Sequence, residues 1–213
     1  LSIVEESTGA LAEAAVPPTR FSKSEAPNFI HKEQFFDDFK KQPLLPSKLS
    51  QFGPCIAAGD VDAEGDEDFY VGGGNQQAGS LYLNDAGRFT LSEQAAFRGR
   101  ARYADHTAAL WFDVDGDGDL DLLVVTGGNE YPAGNARYRD FLYINETKDG
   151  VVTLTEAPDE VLLKLAESGS CVAAVDYDGD GDLDLFIGSR LVPGAYPTSA
   201  KNHLLRNDSK DGL

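Results

Sequence analysis

The sequence predicts an all-β protein built of β-propeller blades: three four-stranded units forming an incomplete ring. Three observations lead there. An acidic nonapeptide occurs three times, the copies start 53 and 63 residues apart, and short apolar runs flank each copy. Four strands in a unit of that length is the size of a propeller blade.

The nonapeptides are Asp60 to Asp68, Asp113 to Asp121 and Asp176 to Asp184, with Gly65, Gly118 and Gly181 at the sixth position. Ahead of them stand Cys55-Ile-Ala-Ala-Gly59, Ala108-Ala-Leu-Trp-Phe112 and Cys171-Val-Ala-Ala-Val175. These read as strands buried on both faces. Behind each loop comes a run that Gly soon ends in two units, Asp68-Phe-Tyr-Val-Gly72, Asp121-Leu-Leu-Val-Val125 and Asp184-Leu-Phe-Ile-Gly188, so the loop is a hairpin connection. A third run follows at Leu81–Asn84, Leu142–Asn145 and Leu204–Asn207, and a fourth at Gly87–Leu91 and Gly150–Leu154. The units are expected at about 51–97, 98–155 and 156–213. Residues 1–50 read as an extended segment, with Val16-Pro-Pro18 as linker and a short helix within Lys32–Lys41 before Pro43.

Composition removes several classes of function. Of 213 residues, 18 are Lys or Arg and 36 are Asp or Glu, a formal charge of −18 that repels phosphate, so nucleic acid is excluded as a partner. The odd positions of the three loops hold 15 of those acids, and without them the balance is −3. The acidity is therefore local. No apolar run nears the roughly 18 residues that span a bilayer, and Glu5, Glu6 and Glu13 before Arg20 do not read as a signal peptide. Opening at Leu1, the chain reads as an internal or processed piece whose further blades, or a second copy, would cover the outer blade faces.

Carboxylates at alternate positions around a tight glycine turn repel one another unless a cation lies between them. Oxygen donors in this number select Ca²⁺ over Mg²⁺ or Zn²⁺. The candidate ligands are Asp60, Asp62, Glu64, Asp66 and Asp68; Asp113, Asp115, Asp117, Asp119 and Asp121; and Asp176, Asp178, Asp180, Asp182 and Asp184, for up to three Ca²⁺. By analogy with known calcium loops, the seventh position would bind through its carbonyl and the others through side chains. An EF-hand is excluded, since the twelfth position is Val71, Val124 or Ile187 instead of a bidentate Glu.

With Gln51-Phe-Gly-Pro54, then Ala58-Gly-Asp60 through Tyr70-Val-Gly-Gly73, the chain resembles the FG-GAP or VCBS repeat proteins, related to the calcium-binding blades of the integrin α-chain propeller. The resemblance covers roughly 29–208. Phe29-Ile-His-Lys-Glu33, Asp38-Phe39 and Leu44-Leu-Pro46 are similar to the stretch preceding such repeats in large bacterial surface proteins, some with an ASPIC/UnbV-like end. It implies an extracellular, cell-surface or periplasmic module. Ala63 and Glu64 stand where the pattern wants Gly and Asp, which makes the first loop the weakest site.

Other residues read as structural. Asn145 and Asn207 fit a glycosylation sequon, but Asn84 takes the same place without one, so this Asn serves the turn after the strand. His106 reads as a surface or turn residue, and Cys55 and Cys171, a whole blade apart, as buried free thiols. The loops after the second strands differ among units, and Tyr131, Tyr138, Arg139, Arg190 and Tyr196 are the side chains there suited to a carbohydrate or protein ligand. An adhesion or ligand-binding module is thus expected. The rival is a polysaccharide lyase in which calcium assists catalysis, and it needs a cleft collecting Arg, Lys, Tyr or His around an open metal.

Overall fold

The computed structural model describes residues 27–162 and 165–208. Three antiparallel meanders make up the fold. The first contains β1 (Ile56–Gly59), β2 (Asp68–Val71), β3 (Ser80–Asp85) and β4 (Arg88–Ser92). The second contains β5 (Asp105–Phe112), β6 (Asp121–Gly127), β7 (Phe141–Asn145) and β8 (Leu154–Glu156). The third contains β9 (Ser168–Val175), β10 (Asp184–Leu191) and β11 (His203–Leu205). Each acidic loop joins a unit's first strand to its second, and at φ of 98° to 102° Gly65, Gly118 and Gly181 make its left-handed turn. The fold is all-β and its sheets are propeller-type blades.

Stacking of the sheets explains the burial. In the middle sheet every residue of β6 is buried, with Leu122, Leu123, Val124 and Val125 at 0% exposure. Alternate residues of β6 face opposite neighbours. Leu122 and Val124 join Tyr70, Leu81 and Phe97 of the first unit, while Leu123 and Val125 join Leu185 and Ile187 of the third. Trp111 ties the first seam by donating from Nε1 to the Ala57 carbonyl at 3.2 Å. Val152 and Leu154 complete that seam beside Val61 and Leu81. The matching place between the second and third sheets is a groove of about 590 Å³ lined by Val114, Leu142, Leu162, Leu185 and Leu205.

Three expectations about burial need correction, and one about strand number falls partly outside the described residues. The third sheet has three strands among the described residues, and the remainder of its expected fourth-strand region lies outside them. First strands are not uniformly buried on both faces: β1 and the second half of β9 alternate, because only the middle sheet is covered on both sides among the described residues. Cys171 consequently lies exposed on β9, and Cys55 is half-buried with its thiol pushed up to about 12 by desolvation; both are free, as expected. His106, expected at the surface, is 1% exposed. Its Nδ1 accepts from the Tyr70 hydroxyl and the Gly73 N–H, its Nε2 donates to the Ala101 carbonyl, and burial lowers its pKa to about 4.

The helix is shorter than the Lys32–Lys41 expected, a single turn α1 (Asp38–Lys41) with Asp37 as its cap. Residues ahead of it stay extended because Gln77 holds them from both sides: its Oε1 accepts from Lys32 N, and its Nε2 donates to the Ile30 carbonyl. Val16-Pro-Pro18, expected as linker, lies outside the described residues.

Close approach of the last two sheets requires Gly169. A Cβ there would overlap the Val125 side chain of β6. Gly169→Ala is expected to destabilise the protein by about 1–3 kcal/mol, read as a lower urea midpoint at unchanged slope.

Candidate metal centres

Each loop is organised by its two terminal aspartates. The ninth-position residues Asp68, Asp121 and Asp184 are at most 1% exposed. One oxygen of each accepts from the second residue of its own loop, Val61 N and Val114 N at 2.9 Å and Tyr177 N at 3.0 Å. The other accepts from the Asn at or just past the end of the third strand, Asn84 N, Asn145 N or Asn207 N, at 2.8 Å in all three units. First-position carboxylates fold the turn. Asp113 and Asp176 accept from Gly116 and Gly179 at 2.7 Å and from Gly118 and Gly181 at 3.0 and 3.1 Å.

These bonds gather three carboxylates per loop, with one oxygen of each within 4.8 Å of the others: Asp60, Asp62 and Asp68; Asp113, Asp115 and Asp121; Asp176, Asp178 and Asp184. Such clusters can hold a metal ion. Burial raises Asp121 to about 6 against its two backbone donors, with Asp115 and Asp117 adding repulsion. Asp68 is raised by the same first cause. A cation would reverse that penalty.

The fifth and seventh positions, Glu64, Asp117, Asp180, Asp66, Asp119 and Asp182, do not belong to these three-carboxylate clusters. Asp117 and Asp180 instead accept from Asp119 N and Asp182 N within the turn, and Asp66 accepts from Ala86 N at 2.7 Å. The extra methylene of Glu64 thus falls outside the cluster. Ala63 is the sharper departure: it sits at φ 59°, where Gly116 and Gly179 stand in the other loops. In the first loop Asp60 Oδ1 accepts from Glu64 N at 3.1 Å in place of the fourth-position bond.

Asn145 does more than serve a turn. Its Oδ1 accepts from Thr147 N and Oγ1, while Nδ2 donates to the Leu120 carbonyl and, across the seam, to the Val61 carbonyl of the first loop. Burial to 2% leaves no room for a glycan on it.

The candidate ligand loops differ from the expectation. Tyr138 is 1% exposed, its hydroxyl bonded to the backbone of Tyr131, so it supports the loop from within. Arg139 is half-buried at an isolated bridge with Ala166. Tyr131 accepts from Asn75 Nδ2 and stacks under Arg137. Arg190 lies over the Phe52 ring, and Tyr196, 45% exposed, takes its backbone donor to Gln42 Oε1. The N-terminal segment therefore occupies much of this face. Sequence reasoning missed Asp38, at 0% exposure, which accepts from Ser50 Oγ and from Asn129 Nδ2. Asp38-Phe39 enters the resemblance, but nothing local marks this Asp as buried, since one of its partners lies 91 residues away.

Residues 60–124 match the FG-GAP-like repeat, from the first Asp of one loop to the twelfth position of the next. No curated protein matches the chain. The class defined by sheets and loops is a propeller-type β-repeat with acidic hairpin connections, and the match supports the FG-GAP/VCBS repeat family.

One titration follows from the loop face. Glu130 is raised from 4.5 to about 8 by burial first and by Asp105 second, with Asp38 also opposing its charge; Asp105 is itself raised to about 6. Lys41 spends its Nζ on the Glu130 carbonyl oxygen, at 3.0 Å, so it offsets this only from a distance. A native state that holds its proton more tightly than the unfolded chain is favoured at low pH and loses that advantage as pH rises through 8. Stability in EDTA is expected to fall from pH 5 to pH 8.5, and Glu130→Gln to flatten the slope, both by urea denaturation.

Proposed function

We propose that this chain is a calcium-binding β-propeller portion of an extracellular or cell-surface protein, acting in adhesion or ligand binding, with carbohydrate or protein as the ligand. The observation that carries the calcium reading is the threefold recurrence of first, third and ninth carboxylates within 4.8 Å of one another. Each cluster offers only oxygen, and three acidic groups in flexible loop geometry suit Ca²⁺ better than the strict octahedron of Mg²⁺. Asp60, Asp113 and Asp176 would hold the ion with Asp62, Asp115 and Asp178 and with the buried ninth-position Asp. Extracellular calcium is abundant enough to fill such sites, and the FG-GAP-like match is in keeping with a surface role. Among the described residues no helix is long and apolar enough to cross a membrane.

Ligand binding draws on a cleft of about 500 Å³ beside the loops of the second and third units. Ala133, Leu191, Val192 and Pro193 give it apolar walls, and Glu167 and Lys201 line its polar side. An apolar cleft with few polar groups is a usual form of binding site, and exposed Tyr196 stands on the same loop as Pro193. Glycan-array binding, run beside a turnover assay on acidic polysaccharides, tests this. Binding without turnover supports the module; cleavage of polysaccharide overturns it in favour of the enzyme.

Metal that binds only the native state stabilises by about 2.7 kcal/mol per site at a hundredfold excess over Kd. Melting in EDTA and in millimolar Ca²⁺ is expected to separate widely, and identical transitions would refute the calcium reading. The first loop should empty first on chelation. Relieving the left-handed strain at Ala63, about 1 kcal/mol, predicts that Ala63→Gly tightens that loop about fivefold in a calcium titration.

A further inference from the structure

We propose that the three acidic loops are energetically coupled through Asn145 and Asn207, so that a cation in one loop raises the affinity of the loop before it. This deepens the calcium reading and rests on it. The path consists of hydrogen bonds running unbroken from sheet to sheet. Asp68 accepts from Val61 N at 2.9 Å, and the carbonyl of the same Val61 accepts from Asn145 Nδ2 at 2.9 Å. Asn145 N donates to Asp121 at 2.8 Å, and Asp121 accepts from Val114 N at 2.9 Å. The Val114 carbonyl accepts from Asn207 Nδ2 at 3.1 Å, Asn207 N donates to Asp184 at 2.8 Å, and Asp184 accepts from Tyr177 N at 3.0 Å.

Three features make this more than a string of contacts. The linking residue recurs at the same place in two units, with the same atom donating to the same loop position, so the bond belongs to the repeat. Every chain of bonds ends on a ninth-position Asp, the buried member of its acidic cluster. Finally, each Asn engages two loops with two different groups, its backbone N–H on its own loop's Asp and its amide on the preceding loop's second carbonyl. Its position therefore reports on both. Fixing one ninth-position carboxylate around a cation fixes the Asn bonded to it, and the amide of that Asn then holds the carbonyl of the neighbouring loop's second residue, whose own N–H, on the adjoining peptide, faces the next carboxylate. The ordering cost of the second loop is partly met before its cation arrives. Coupling of this kind is reciprocal. Asn145 and Asn207 are positioning residues in this scheme, not ligands.

The test is an NMR titration of the whole chain with Ca²⁺, in which the Gly65, Gly118 and Gly181 amides report the three loops separately. Asp178→Asn removes one carboxylate from the third loop while leaving both turn bonds to Asp176 in place. In the otherwise unchanged protein it is expected to weaken calcium at the second loop, read at Gly118, about fivefold, the lower end of measured coupling between sites. In an Asn207→Asp or Asn207→Leu background the same change should leave the Gly118 midpoint where it was. Asp keeps the shape and loses the donor; Leu loses the donor without adding charge, so agreement between them removes charge as the cause. Strand amides of β5 and β6 show that each variant is folded. A Gly118 midpoint insensitive to Asp178→Asn, with all three glycines still responding to Ca²⁺, overturns the coupling alone. No response at any glycine overturns the calcium reading itself.

Discussion

Everything in the repeat depends on one buried carboxylate that accepts two backbone N–H groups. Asp68, Asp121 and Asp184 each close their own loop through the second residue and draw in the third strand through the Asn near its C-terminal end. An ionised carboxylate so placed is costly to bury and is kept because its two oxygens find donors on two separate segments. The loop is thereby part of the sheet, and any cation it takes is held by the same group that sets the position of β3, β7 or β11.

The sheets then stack because their faces match. The middle sheet shows what a complete environment does: β6 is apolar from Leu122 to Val125, two side chains toward each neighbour, and Gly169 lets β9 come close. Sheets one and three carry the same strand pattern with one face left uncovered among the described residues, and it is there that Phe186, Leu204 and Cys171 are exposed. Exposure in this protein reflects how many sheets lie alongside, more than what each strand's sequence would prefer.

The strand order, the hairpin role of the loops and the metal-suited clusters were all legible in the sequence, because each rests on a pattern that occurs three times and has a local cause. Asp at one and nine with Gly at six can be read without knowing any neighbour. What was not legible depends on contacts distant in sequence. Tyr138 looks like a ligand-facing aromatic until β6 and its loop bury it. His106 looks like a turn residue until Tyr70 and Ala101 are brought to its two nitrogens. The N-terminal segment gave no period at all, since its docking rests on single side chains such as Gln77, Gln42 and Asp38, each with a partner dozens of residues away. Ala63 and Glu64 both depart from the pattern in the sequence, and the structure places the departure in the backbone of Ala63, at φ 59°.

The Asn bridge between sheets has a direction. The second and third units reach back with an Asn amide to a carbonyl of the unit before, so neighbours join head to tail. Such a joint is indifferent to what lies between its ends. The 53-residue and 63-residue intervals differ in the connections outside it, while the bridging distances from Asn145 and Asn207 remain 2.9 and 3.1 Å. A lineage can therefore lengthen the loops after the second strands, and with them the surface offered to partners, without disturbing the register by which one unit recognises the next.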